Sequence, residues 1–76
     1  MDKEAFAQVK RCAAKYRALA RAYDEALTQA HSANHGSPEM LEHLRKANSI
    51  APEVREAMER YQEAVADLAA LVGRNQ

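Results

Sequence analysis

The sequence predicts an all-α fold, an antiparallel helical hairpin. The 76 residues include only two glycines and two prolines, which leaves few of the turns that strands need. Apolar residues recur every three or four positions along most of the chain, which is the period of a helix face. Alanine, the strongest helix former, accounts for 17 residues. A single domain is therefore expected over residues 1–76.

The first helix is predicted over about residues 3–35. Asp2 is a plausible N-cap, and Gly36 can adopt the left-handed conformation that ends a helix. A stripe of apolar residues with alternating spacings of three and four predicts one buried face: Phe6, Val9, Ala13, Tyr16, Ala20, Tyr23, Leu27 and Ala30. One further row widens the stripe and makes it typical of a bundle: Ala5, Cys12, Leu19 and Ala26.

The second arm is predicted to begin at once, after a turn at 36–37. Ser37 suits the N-cap and Pro38 the first helical position. Because the connection is so short, the arms should lie antiparallel. Pro52 predicts a break or kink, with helices over about 38–48 and 52–72, a break at 49–51, and Gly73 as the end. The chain would then have two long helices or three. Its apolar stripe comprises Met40, Leu44, Ala47, Ala51, Val54, Met58, Tyr61, Val65, Leu68 and Val72.

Two such helices cannot cover each other's wide stripes completely. The simplest cover is a second copy, which predicts a homodimer in the form of a four-helix bundle. The other cover is the surface of a different protein. We therefore expect a small non-enzymatic interaction module that regulates, inhibits or chaperones a partner protein through an apolar helical face.

Eight residues are candidate partner-binding residues. Six would supply apolar contacts, namely Phe6, Tyr16, Tyr23, Met40, Met58 and Tyr61. Arg17 and Arg21 would orient the partner. Tyrosine is enriched at interaction hot spots, although three tyrosines at helical spacing are more often core residues at the edge of a bundle.

Charge suggests an alternative function. The 11 basic and 11 acidic residues cancel, but four cations share a narrow arc of the first helix: Lys3, Lys10, Arg17 and Arg21. Such a stripe can follow phosphates, so a dimeric nucleic-acid-binding bundle is the alternative. A solvated face and an acidic protein partner are the other interpretations.

Catalysis, cofactors and metals have no support in the sequence. Cys12 lies on the apolar stripe, and no phosphate loop or metalloprotease motif is present. His31 and His35 could approach His43 across the turn, but histidine near a helix end also interacts favourably with the helix dipole. We expect no enzyme activity, no cofactor and no bound metal.

Localisation and origin are suggested by composition. The chain has no signal-peptide pattern and no long apolar run, which predicts a cytoplasmic protein without membrane contact. Arginine outnumbers lysine seven to four, as in many bacterial or phage proteins. A hairpin with the turn Gly36-Ser37-Pro38 resembles in outline the Rop-type RNA-binding bundle, small co-chaperones of type III secretion needles and phage-encoded inhibitors. These resemblances imply a regulatory, inhibitory or chaperone role, or RNA binding.

Overall fold

A computed structural model describes residues 2–74, with the side chain of Asp2 excepted. The chain forms two helices, α1 (Asp2–Ser32) and α2 (Pro38–Arg74), packed side by side in a body measuring 58 × 15 × 13 Å. This confirms the all-α hairpin. Within the described residues, neither helix contains an apolar stretch long enough to cross a membrane. The predicted capping by the Asp2 side chain lies outside what the structure describes.

The turn between the helices follows the predicted chemistry. Gly36 has a φ of 76°, in the left-handed region. The Ser37 hydroxyl oxygen accepts a hydrogen bond from the Met40 backbone N–H at 3.1 Å, so Ser37 is the N-cap of α2. The helix α1 ends at Ser32, about three residues earlier than predicted, and residues 33–37 form the turn. The Ser37 N–H closes this turn on the Asn34 carbonyl at 3.0 Å.

The sequence predicts a break or a kink at Pro52, and two long helices or three. The break at 49–51 is wrong, because α2 continues through Pro52; the chain has two helices, and the kink stays a prediction. Proline has no backbone N–H, so the Asn48 carbonyl lacks the donor that residue 52 would otherwise supply in the helix. Asn48 and Pro52 are both exposed, so water can satisfy that carbonyl. The helix also extends past the predicted end at Gly73 to Arg74, a difference within the usual uncertainty of helix ends.

The core between the helices consists of alanine. Five residues are fully buried, and all are small: Ala26, Ala30, Ala47, Ala57 and Ala64. Small side chains allow two helices to pack at the short end of the usual interaxial distance. The rings of Tyr16 and Tyr61 stack across the pair, with centroids 6.1 Å apart and planes inclined by 26°.

The hairpin exposes more surface than a compact protein of its mass. Its accessible surface is 6016 Å², whereas the scaling law for monomers gives about 4,700 Å² at 8.5 kDa. Its radius of gyration is 17.2 Å, against about 11 Å for a globular chain of this length. The excess surface exceeds the roughly 800 Å² that one partner buries in a standard interface.

We expect Gly36→Ala to destabilise the hairpin by about 1 kcal/mol, because an L side chain is strained at positive φ. No atom lies within 4 Å of the added Cβ, so backbone strain is the only expected penalty. Thermal unfolding followed by circular dichroism measures it. Gly73→Ala is the control: it lies within α2 with open space around it, and it should stabilise slightly. An equal loss in both variants would contradict the role of the turn.

We expect Pro52→Ala to stabilise the protein by about 1 to 3 kcal/mol, because it restores a helical hydrogen bond to the Asn48 carbonyl. Chemical denaturation at fixed protein concentration measures the change. Glu53→Ala, at the adjacent exposed position of the same helix, is the control and should alter stability far less. A destabilised Pro52→Ala variant would show that proline is needed for the shape of α2.

Candidate interaction surface

Each helix contributes two rows of residues to the contact between them, here called the seam. All seam residues are buried or half-buried: Ala5, Val9, Cys12, Tyr16, Leu19, Tyr23, Ala26 and Ala30 in α1, and Met40, His43, Ala47, Ile50, Val54, Ala57, Tyr61, Ala64 and Leu68 in α2. Their alternating spacing of three and four keeps both rows facing the other helix.

A third apolar row in each helix lies beside the seam. We call these two rows together the apolar face: Phe6, Ala13, Ala20 and Leu27 in α1, and Leu44, Ala51, Met58, Val65 and Val72 in α2. Each except Val72 follows a seam residue by one position and is rotated about 100° from it, to the same side of its helix every time; Val72 continues the same seven-residue row. In an antiparallel pair this rotation brings both rows to one side of the hairpin.

The large residues of the apolar face remain accessible to solvent. Six of them are 38–51% exposed: Phe6, Leu27, Leu44, Met58, Val65 and Val72. The three alanines of the face are half-buried. A row of exposed apolar side chains along both helices is more than the scattered exposure normal for a monomer, and such patches mark interaction sites.

This arrangement corrects the predicted packing. The sequence analysis placed Phe6, Leu27 and Met58 in the central stripe and did not include Ala57 or Ala64. The structure instead buries these alanines, because close approach of two helices favours the rows with the smallest side chains. The expectation that a single hairpin leaves part of each apolar stripe uncovered is confirmed.

The predicted partner-binding residues divide between the seam and the apolar face. Phe6 and Met58 lie on the apolar face, 51% and 41% exposed. Tyr16 and Tyr61 stack on each other in the seam. Tyr23 is also a half-buried seam residue.

Met40, the remaining apolar candidate, lies against the turn. Its sulfur is 3.3 Å from the backbone nitrogen of Gly36, and its side chain is half-buried. Met40 therefore belongs to the connection between the helices and is separate from the apolar face.

The two candidate arginines lie beside the apolar face. Arg17 and Arg21 are exposed, as are Lys3 and Lys10. The Arg17 Nε lies 3.4 Å from the carbonyl oxygen of Ala13, so its side chain runs back along the edge of the apolar face. The basic stripe of the sequence analysis is thus one border of this face.

The opposite side of the hairpin, here called the polar side, carries most of the charged side chains, although Leu71 is 38% exposed there. It contains both ion pairs found among the described side chains, Arg11 with Glu4 at 3.3 Å and Arg60 with Glu56 at 3.0 Å. A shallow hollow of about 400 Å³ is also present there, lined by Glu4, Ala5, Gln8, Ala64, Asp67 and Leu71. All four charged groups of the ion pairs are well exposed, so these pairs add little stability.

Chemically reactive groups do not converge within residues 2–74. No cluster of three histidine, cysteine or acidic side chains with metal-binding geometry is found among them. Cys12 is half-buried in the seam, 3.8 Å from the Gln8 Nε2. His31 and His35 are exposed, whereas His43 is half-buried.

Several residues of the apolar face were missing from the predicted binding set. Leu44, Val65 and Val72 are exposed in one row with Met58, whereas the predicted apolar contacts were all aromatic residues or methionines. The signal was present in the sequence. Positions 44, 51, 58, 65 and 72 are seven apart and all apolar, which indicates a third apolar row that one partner helix cannot cover.

Comparison with known proteins matched no family model, no curated protein and no solved structure. The arrangement of the surface therefore carries the functional argument.

We expect Ala57→Leu to destabilise the hairpin by about 1 to 3 kcal/mol, because the larger side chain must separate two closely packed helices. Ala18→Leu, an exposed substitution of the same kind in α1, should have a much smaller effect. Urea unfolding of both variants measures the difference. If the two variants unfold alike, alanine at the seam is not required for packing.

Proposed function

We propose that the protein is a non-catalytic interaction module that docks a helical protein surface on its apolar face and thereby regulates, inhibits or chaperones that partner. The observation that carries the proposal is the exposure of six large apolar side chains along one side of the hairpin. The residues we assign to apolar contact are Phe6, Leu27, Leu44, Met58, Val65 and Val72.

Covering this face would add substantially to stability. A side chain such as leucine or phenylalanine gains about 1.5 to 3 kcal/mol on complete burial, and these six are about half exposed. Their burial would therefore contribute several kcal/mol, comparable to the whole stability of a small domain. Only five alanines are deeply buried and the larger seam side chains are half-buried, so the uncovered hairpin should be marginal and docking coupled to folding.

Two covers have the required helical surface. A second copy would complete a four-helix bundle and make the protein a homodimer. A helix or helical groove of another protein would do the same without self-association. Light scattering over a dilution series separates them, because only the first gives a dimer in the absence of another protein.

Nucleic-acid binding is the second candidate function, supported by the exposure of Lys3, Lys10, Arg17 and Arg21 in one stripe. Phosphate contacts alone would leave the adjacent apolar face uncovered. The two functions differ in salt dependence, because phosphate binding weakens steeply with salt and apolar docking changes little.

We expect Met58→Glu to weaken docking by at least about 2 kcal/mol, or about 30-fold in Kd, because a carboxylate would be buried against apolar side chains. Gln29→Glu is the matched control, since it introduces the same charge on the polar side. Both variants should keep the helical circular dichroism of the parent at high concentration.

The measurement compares what each variant retains after nuclease treatment. A protein partner, or the second copy, should remain with the parent and Gln29→Glu and be lost with Met58→Glu. Identical association in all three proteins would refute docking through the apolar face. In parallel samples without nuclease, retention of RNA or DNA that is lost at high salt would favour the second candidate.

A further inference from the structure

We propose that the occupant of the apolar face is an amphipathic helix of another protein, carrying acidic residues on both sides of its apolar stripe. This inference rests on the proposed function and specifies the partner's chemistry. It follows from the charges that border the apolar face, which differ in sign from those on the opposite side of the hairpin.

The border of the apolar face is basic on both helices. At 100° per residue, the two rows of each helix that lie next beyond the apolar face contain six cations: Lys3, Lys10, Arg17, Arg21, Arg45 and Arg55. We call these six residues the basic border. The same rows contain only two acids, Asp24 and Glu59, so their net charge is +4.

The opposite side has the reverse balance. Its exposed rows contain five cations, Arg11, Lys15, Lys46, Arg60 and Arg74, and eight acids, Glu4, Glu25, Glu39, Glu42, Glu53, Glu56, Glu63 and Asp67. The neutral chain is thus divided into a basic side that contains the apolar face and an acidic side that does not. Such a division favours an anionic partner on the apolar face.

Among the side chains that the structure describes, none of the basic border forms an ion pair. Both ion pairs among the described side chains lie on the opposite side. Arg17 instead reaches the Ala13 backbone oxygen, at the edge of the apolar face. The border cations are therefore placed to meet carboxylates that come with an occupant, and each such contact would be made beside buried apolar surface.

A second copy supplies few of those carboxylates. Face-to-face packing would place the α1 border, with Lys3, Lys10 and Arg17, beside either the same row or the α2 border of the other copy. The nearest border row of α2 contains one cation and no acid: Leu41, Asn48, Arg55, Gln62 and Ala69. The α1 row itself contains one acid, Asp24, against three cations. Cations therefore outnumber acids in both arrangements, so charge disfavours self-association through this face.

The size profile of the face indicates a helix as the occupant. In α1 the middle of the face is small, with Ala13 and Ala20 between Phe6 and Leu27, whereas α2 carries Met58 and Val65 at the same level, as the stacked Tyr16 and Tyr61 indicate. Small residues on one helix beside larger ones on the other leave a shallow groove that another helix can enter, which is the helix-in-groove mode of recognition. From Phe6 to Leu27 the face extends about 32 Å, the length of roughly 21 helical residues.

The test uses two labelled synthetic helices of 24 residues with the same leucine and alanine stripe, one bordered by glutamate and the other by lysine. Fluorescence anisotropy with the full chain at 0.15 M salt measures their Kd values. We expect the glutamate helix to bind at least tenfold more tightly. The K10E/R17E double variant lowers the net charge of the border rows from +4 to 0 and should therefore remove this preference. Met58→Glu should remove binding of both helices.

The control for charge is K15E/K46E, which reverses two exposed cations on the polar side and should keep the preference of the parent. Equal binding of both helices, or a preference that survives in K10E/R17E, would overturn the acidic partner while leaving docking through the apolar face intact. Binding unaffected by Met58→Glu would overturn the proposed function itself.

Two other occupants have distinct outcomes. A dimer by light scattering that dissociates in Met58→Glu and binds neither helix would assign the face to a second copy. Binding to vesicles containing phosphatidylglycerol, but not to phosphatidylcholine vesicles or the glutamate helix, would assign it to an anionic membrane surface. Either result would refute the acidic helix as the occupant.

Discussion

The close contact of alanines between α1 and α2 determines the rest of the architecture. Ala26, Ala47 and Ala57 are at most 4% exposed, and no larger side chain is as deeply buried. Because alanine contributes little apolar area, this seam aligns the helices but stabilises them weakly. The larger side chains are displaced to a neighbouring row, where the second helix cannot reach them. The exposed apolar face is therefore a geometric consequence of the same packing that defines the hairpin.

Marginal stability and binding are linked by this arrangement. A ligand that binds only the folded chain raises its stability in proportion to the logarithm of ligand concentration over Kd. The seam leaves its larger side chains, such as Tyr16, Val54 and Tyr61, only half-buried, so covering the apolar face would add to the core that the hairpin forms alone. The turn at Gly36 and Ser37 restricts the two helices to one antiparallel arrangement and so keeps both rows of the face on one side.

The periodic pattern was enough to predict a helical hairpin, though not to choose between two helices and three, and Gly36, Ser37 and Pro38 were enough to predict the turn. The rotation of each helix was not predictable in the same way. With three apolar residues per heptad, two different pairs of rows can form the seam, and hydrophobicity favours the pair with Phe6 and Met58. Close packing selects the pair with Ala26 and Ala57. The break expected at Pro52 does not occur. Asn48 and Pro52 are exposed, so water can donate to the Asn48 carbonyl in place of the missing helical N–H.

The distribution of charge can be interpreted only when the rotation of each helix about its axis is known. The total of 11 basic and 11 acidic residues implies no electrostatic preference, and the basic stripe of α1 alone is compatible with phosphate or with solvent. Once the seam is placed, Arg45 and Arg55 of α2 join Arg17 and Arg21 of α1 around one apolar face. Cations that surround an apolar surface on two helices fit an amphipathic partner better than a phosphate backbone, because a phosphate backbone would leave the apolar row without contacts.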